Sequence, residues 1–265
     1  MTVVEELRSK RLCFTITSGR SGTKLLAELL RDAASLCAEH EPAPRFNYVL
    51  RSVLDCPNAA RWWLLTEKLP AIAQRLGSGT AYAELSHLTC KAFVEPLIDI
   101  GLNPAFIILS RPAREVATSL YRIGAIPERT DAGRLALIGP RHSPFLPVAE
   151  WAQLTDYELC YWYAREIEQR QIHYRSLFGD LRLDCFELSF SDIGNWDSFT
   201  AVTDFVSMSD IVPNRHKFDA ILQHNQNPRE GLLEGTAARV LPLTLEAEEQ
   251  RVDELIAHEP ARRVA

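Results

Sequence analysis

No stretch of this chain is long and apolar enough to cross a bilayer. The uninterrupted apolar run Ala105 to Leu109 spans five residues, where a membrane helix needs about 20. The charged stretch from Met1 to Arg11 holds no apolar leader core. The six cysteines (Cys13, Cys37, Cys56, Cys90, Cys160, Cys185) form no C-x-x-C pair. Several lie in apolar runs and read as reduced core residues, neither disulfides nor metal ligands. A basic excess is missing too: 29 Lys and Arg face 35 Asp and Glu, for a net charge of −6. That excludes a bulk nucleic-acid footprint, which needs a basic face. It leaves room for a local basic pocket that takes a small polyanion. Repeats and low-complexity segments are absent. The expectation is a soluble, cytoplasmic protein with no membrane span and no nucleic-acid partner.

What is present is an ordinary globular composition, 46% hydrophobic and 24% charged over 265 residues. It predicts one α/β domain, residues 1–265, with a full core. The chain is organised around Thr15-Ile16-Thr17-Ser18-Gly19-Arg20-Ser21-Gly22-Thr23-Lys24-Leu25-Leu26. Leu12 to Ile16 reads as a buried strand, and Gly19 and Gly22 punctuate a tight loop. From Thr23 the apolar spacing turns helical, with Leu25, Leu26, Leu29, Leu30 and Ala33 on one face. Strand, Gly-rich loop and helix together build a phosphate cradle, because glycine lets backbone approach an anion and helix-start N–H groups point at it. Ser18, Gly19, Arg20, Ser21, Gly22, Thr23 and Lys24 are its candidate binding residues. The loop fails the Walker A pattern G-x-x-x-x-G-K-[ST]. The first glycine falls at Thr17, and the lysine is displaced to Lys24 behind Thr23.

Further along, His40-Glu41-Pro42 follows the loop helix, near where a strand would end on the ligand edge of an open parallel sheet. Phe46 to Leu76 reads as helical, with Trp62, Trp63 and Leu64 as core or acceptor-pocket lining. Thr80 to Leu85 reads as a short strand that brings Glu84 or His87 to the same edge. A helix is expected from Ala92 to Ile100. Ala105 to Leu109 lacks alternation, as a strand buried on both faces does. Arg111-Pro112 then opens a helix that carries Ser119. The segment about 123–150, rich in Gly, Pro and Arg (Arg129, Arg134, Arg141, with His142), reads as an irregular insertion and a possible acceptor lid. A long helix over 155–178, a strand over 181–190 and a helix over 198–206 follow. The tail reads as less regular until a last helix at 245–258. No metal-ligand cluster is visible, and no apolar strand ends in the Asp of a Walker B run.

The basic residue before Ser-Gly-Thr resembles the 5′-phosphosulfate loop of sulfotransferases that use 3′-phosphoadenosine-5′-phosphosulfate (PAPS). The form Gly-Arg-Ser-Gly-Thr is similar to the carbohydrate and tyrosylprotein branches. Arg111 and Ser119, eight residues apart, resemble the family's 3′-phosphate signature, in which a guanidinium fork grips the phosphate. The resemblance implies a P-loop-like fold, a single domain with a central parallel β-sheet flanked by helices. It implies sulfuryl transfer from PAPS to an acceptor hydroxyl of a carbohydrate, lipid or natural product, a small molecule or a glycan. The bisphosphate PAP is released, and no metal is required. It also implies a soluble enzyme of bacterial type. Glu41 lies 20 residues after Ser21, the spacing of the tyrosylprotein general base. Glu84 resembles a glutamate of the heparan branch, and His40 is a third candidate base. Arg20 and Lys24 would act on the leaving group. Arg229, with Gly231, resembles loosely the late loop that closes over the nucleotide. Competing readings are a P-loop kinase or phosphotransferase, a binding module that kept the nucleotide site, and an enzyme whose sulfation triggers a second step such as elimination. Oligomeric state is not legible.

Overall fold

The structure, a computed structural model, describes residues 2–142, 145–208, 211–225 and 239–258. Five parallel strands form its sheet: β1 Arg11–Ile16, β2 Cys37–Glu39, β3 Ala81–Glu84, β4 Ala105–Ser110 and β5 Cys185–Ser189, in the order β2-β3-β1-β4-β5. This is the α/β fold with a central parallel sheet that the residue pattern predicts. The chain leaves β1 toward β2 on one side of the sheet, and leaves β4 toward β5 on the other. Where such connections diverge, a crevice opens at the carboxyl ends of the strands, and ligands bind there in open α/β sheets.

The helices follow from apolar spacing and local stops. α1, Val3–Arg8, starts in a capping box between Thr2 and Glu5. α2, Thr23–Glu28, starts behind Gly22 and widens into a π turn at Leu29–Ala33. The stretch expected as helical from Phe46 to Leu76 is divided. After a 3₁₀ turn at Phe46–Tyr48 come α3, Leu50–Asp55, and α4, Asn58–Trp63, interrupted at Cys56-Pro57. A second π turn, Leu64–Lys68, leads into α5, Leu69–Leu76. α6, Thr89–Ala92, and α7, Val94–Asp99, stand where one helix was expected. α8, Ala113–Arg122, α9, Asp131–Ala136, and α10, Asp156–Leu181, follow. α11, Trp196–Ser207, is capped by Asn195, whose side chain accepts from the Ser198 N–H. α12, Arg215–Asn225, corrects the expected irregular tail, and α13 is Leu245–His258.

The chain divides into two compact units: Met1–Ser110 with Tyr174–Pro228, and Arg111–His173 with Arg229–Ala265. In the first, alternate strand residues feed the two faces of the sheet. Cys13, Ala83, Ile107 and Leu188 join Leu26 and Leu30 beside α2, Phe199 and Val202 of α11, and Phe218 of α12 in one buried cluster. On β4, Phe106 stacks on Phe178 with ring centroids 4.1 Å apart, and Phe178 on Tyr174.

In the second unit, the segment expected as an irregular insertion is packed. Ile126, Leu137 and Ile138 are buried, and α9 sits inside it. Leu146 is held at both backbone groups: its N–H donates to Glu166 at 3.0 Å, and its carbonyl accepts from Trp162 Nε1 at 2.8 Å. α13 is bound by polar contacts to its own unit, with Glu249 accepting from Arg114 and from the Tyr157 hydroxyl, each at 2.6 Å.

Candidate active site

β1 delivers the chain into the loop at the middle of the sheet. Three residues of that loop are left-handed: Gly19 at φ 77°, Arg20 at φ 56° and Gly22 at φ 83°. Glycine adopts this conformation freely, whereas for Arg20 it is a strained choice that the surroundings must enforce. The loop is braced from within. The hydroxyls of Ser18 and Ser21 both donate to the Gly19 carbonyl, at 2.8 and 3.0 Å, and lie 3.0 Å from each other. Ser18, Gly19, Ser21 and Thr23 are buried, while Arg20 and Lys24 are exposed. The cradle therefore presents two cations to solvent over a rigid floor. The buried Thr17 hydroxyl finds no partner in the protein. A Cβ added at Gly19 would stand 2.9 Å from His87 Cγ, so the His87 ring lies directly against the loop.

Glu41 is the other candidate with a left-handed backbone, at φ 48°. Its Oε1 is 3.2 Å from His87 Nε2 and 3.9 Å from His40 Nε2. The structure thus brings Glu41, His40, His87 and the loop together. Lys91 Nζ reaches His87 Nδ1 at 2.8 Å. Burial, then the nearby charges of Lys91, His40 and Arg20, hold His87 well below the ordinary histidine value. Burial also lowers His40, against the pull of Glu41.

Glu84 is placed differently. It is 0% exposed at the end of β3, where Lys68 donates to Oε1 at 2.7 Å and the Tyr82 hydroxyl to Oε2 at 3.1 Å. Burial pushes Glu84 up to about 7 despite Lys68, and pushes Lys68 down. Lys68, 1% exposed, also donates to the carbonyls of Pro42 at 3.3 Å and Pro44 at 3.0 Å, and its ammonium lies 4.6 Å from the Phe46 ring centre. Phe46, Trp63 and Phe93 form a tilted aromatic cluster around it. The pair ties the segment that carries Glu41 to the core. Of the two tryptophans, Trp63 is buried in this cluster and Trp62 is 64% exposed.

Beside the loop, Lys24, Ala27 and Glu28 of α2, Arg31 of the π turn that follows, and the strand-end residues Glu39, His40 and Pro42 line a cleft of about 330 Å³. Its lining is mostly charged or polar, which suits a hydroxyl-rich ligand better than a flat apolar one. In the second unit, Arg111 follows β4 directly in sequence, and its Nε donates to Glu115 Oε2 at 2.9 Å. Ser119 lies two turns along the same helix. Arg229 and Gly231 lie outside the described residues. Among the described residues no cluster of His, Cys, Asp and Glu is arranged to hold a metal ion, and no helix is long and apolar enough to cross a membrane.

Lys68 and Lys91 went unnoticed in the sequence. Each sits in a stretch of helical spacing, where a lysine ordinarily marks the solvent face. No local signal separates a buried lysine from an exposed one; only the acceptors brought to it by other elements do.

No protein-family model matches the chain, and no curated protein matches it. Among solved structures it is similar to the "Sulfotransferase Domain from the Curacin Biosynthetic Pathway", at 12% identity over 95% of this chain and 99% of that one, with a TM-score of 0.50. The fold is that of a sulfotransferase domain. The likeness extends over nearly the whole of both chains. What the sulfotransferase fold carries here is decided by the residues placed on it.

Proposed function

We propose that this protein is a sulfotransferase that moves the sulfuryl group of PAPS to an acceptor hydroxyl and releases PAP. One observation carries the reading. A rigid left-handed loop at the head of the central strand holds Arg20 and Lys24 toward solvent, and Glu41 stands one imidazole away from it. The loop suits an anion: its glycines at positive φ let backbone approach a ligand closely, and Arg20 and Lys24 bring positive charge to its exposed side. In this reading Ser18 to Lys24 take the 5′-phosphosulfate. Arg111 and Ser119 take the 3′-phosphate, which ATP lacks.

The chemistry needs in-line positioning and charge relief at the leaving oxygen. Arg20, Lys24 and the loop N–H groups supply the charge relief. Glu41 takes the proton of the acceptor hydroxyl, a role worth about 10²–10⁴-fold in rate. Glu84, enclosed by Lys68 and Tyr82, supports the segment behind Glu41. His40 lines the neighbouring cleft, where the acceptor enters. The polar lining of that cleft favours a polyhydroxylated acceptor over a simple phenol.

Calorimetric titration with PAP, with ATP in parallel, tests the donor assignment. Tight PAP binding, weak ATP binding and a large loss in Arg111→Ala are expected. Equal affinity for both nucleotides, unchanged in Arg111→Ala, would refute the 3′-phosphate assignment and favour a kinase-like enzyme.

A further inference from the structure

His87 is in contact with three groups that decide where its proton lies. Lys91, 2% exposed on α6, places Nζ 2.8 Å from Nδ1. Glu41, on the segment after β2, places Oε1 3.2 Å from Nε2. Gly19 of the loop closes one side of the ring. An ammonium donates and never accepts, so Nδ1 facing Lys91 must be the bare, accepting nitrogen. The single ring proton is then on Nε2, aimed at the Glu41 carboxylate. A second proton on Nδ1 would set donor against donor beside Lys91, which is 2% exposed.

We propose that Lys91 and His87 form a fixed donor relay, Lys91 Nζ–H to His87 Nδ1 and His87 Nε2–H to Glu41 Oε1, that orients the Glu41 carboxylate beside the phosphate loop. This rests on the reading of Glu41 as general base. His87 and Lys91 are positioning residues. With Nε2 already protonated and Nδ1 occupied, His87 is a donor in this arrangement and takes no proton from the acceptor. Oε1 is held by the relay and Oε2 receives the hydroxyl proton, so the proton passes directly from acceptor oxygen to Glu41. The charged and titratable groups around the ring are Glu41 and His40 from the strand-end segment, Arg20 from the loop and Lys91 from α6. Three of the four disfavour a charged ring, which keeps the relay in one protonation state. The relay also explains the left-handed backbone of Glu41, since that turn lets its side chain meet a ring packed against Gly19.

Long-range ¹H–¹⁵N spectra of the ¹⁵N-histidine-labelled protein read the tautomer directly, with His87 identified by its loss in His87→Gln. The expected result is a neutral ring protonated on Nε2 from pH 5.5 to 8. In Lys91→Met the ring should take up its second proton at a higher pH than in the wild type, because one of the cations that disfavour its charge is gone. Lys91→Arg, which keeps a donor at Nδ1, should restore the wild-type spectrum. PAP affinity, measured on the same samples, should stay within about twofold in the two Lys91 variants, because Lys91 is not one of the loop residues read as holding the nucleotide. A charged or Nδ1-protonated His87 in the wild type overturns the relay, and that measurement needs no variant to fold. An unchanged spectrum in Lys91→Met overturns it as well. The two failures are separable: a wild type that binds no PAP removes the sulfuryl-transfer reading and with it the role of Glu41, whatever the ring shows. PAP binding with the wrong tautomer removes the relay alone.

Discussion

Lys68 and Glu84 form the residue pair on which most depends energetically. Both are almost fully buried, and each is the other's counter-ion at 2.7 Å. Removing one partner strands a charge in the core, a loss of about 3–5 kcal/mol in stability. Lys68→Met should therefore lower the urea midpoint steeply, and Lys68→Met with Glu84→Gln should recover part of the loss. If the double variant is as unstable as the sum of the singles, the pairing energy is absent. His87 makes a pH prediction. Its folded value lies below the unfolded value of 6.5, so the folded state binds fewer protons. Stability is complete above about pH 6.5 and is lost on acidification below it, at about 1.4 kcal/mol per pH unit for each such group. His40 acts in the same direction. His87→Gln should flatten the slope of urea midpoint against pH between 6.5 and 5; an unchanged slope would assign the acid sensitivity elsewhere. Glu41 stood out in the sequence through its distance from the loop serine, a resemblance of spacing, and the structure places its carboxylate 3.2 Å from His87. The Lys91–His87 contact was not legible, because a lysine four residues after a histidine is unremarkable until burial removes the water around both.

At the scale of elements, the loop from Thr17 to Thr23 was read with its boundaries nearly intact, because glycine at positive φ and an apolar run buried on both faces are local signals. β1 and β4 are such runs. α12 was missed: Phe218, Ile221 and Leu222 hold helical spacing, but three positions flanked by polar residues are too short a run to show the period until Phe218 meets Phe199 and Trp196. The segment from Phe46 to Leu76 was read as helical, but its π turn at Leu64–Lys68 was not legible. That turn brings Lys68 inward to acceptors on other elements. The glycines of the loop give a controlled experiment. Gly19→Ala introduces strain at φ 77° and a contact 2.9 Å from His87 Cγ. Gly77→Ala introduces the same kind of strain at φ 53°, with nothing within 4 Å. Each should lose about 1–2 kcal/mol of stability from the backbone alone. Only Gly19→Ala should also lose PAP affinity. Equal PAP affinity in the two variants would separate the loop from the donor.

On the scale of the whole molecule, the strand order was not legible. Four strands were readable one by one and the fifth, β2, only through the place where it ends, yet β3 inserts between β1 and β2 only because the crossovers carry the chain there. Insertion brings the ends of β1 and β3, and the segment after β2, to one sheet edge. That is why Gly19, His87 and Glu41, spread over 69 positions of sequence, converge. A nucleotide that binds only the folded chain must raise its stability. At about 100 times the dissociation constant the gain is about 2.7 kcal/mol, and for a chain of this size each kcal/mol moves the melting midpoint by about 2–4 °C. Saturating PAP should thus raise the midpoint by about 5–10 °C, and ATP at the same concentration should raise it far less. Arg111→Ala, just before α8, gives up a partly exposed ion pair with Glu115, worth at most about 1 kcal/mol, so it should melt close to the wild type without ligand and respond weakly to PAP. A tenfold loss of affinity removes about 1.4 kcal/mol of that gain, enough to halve the shift. Should ATP and PAP shift the midpoint equally in both proteins, the 3′-phosphate makes no contact, and the cradle on β1 would then be serving an ordinary nucleoside triphosphate.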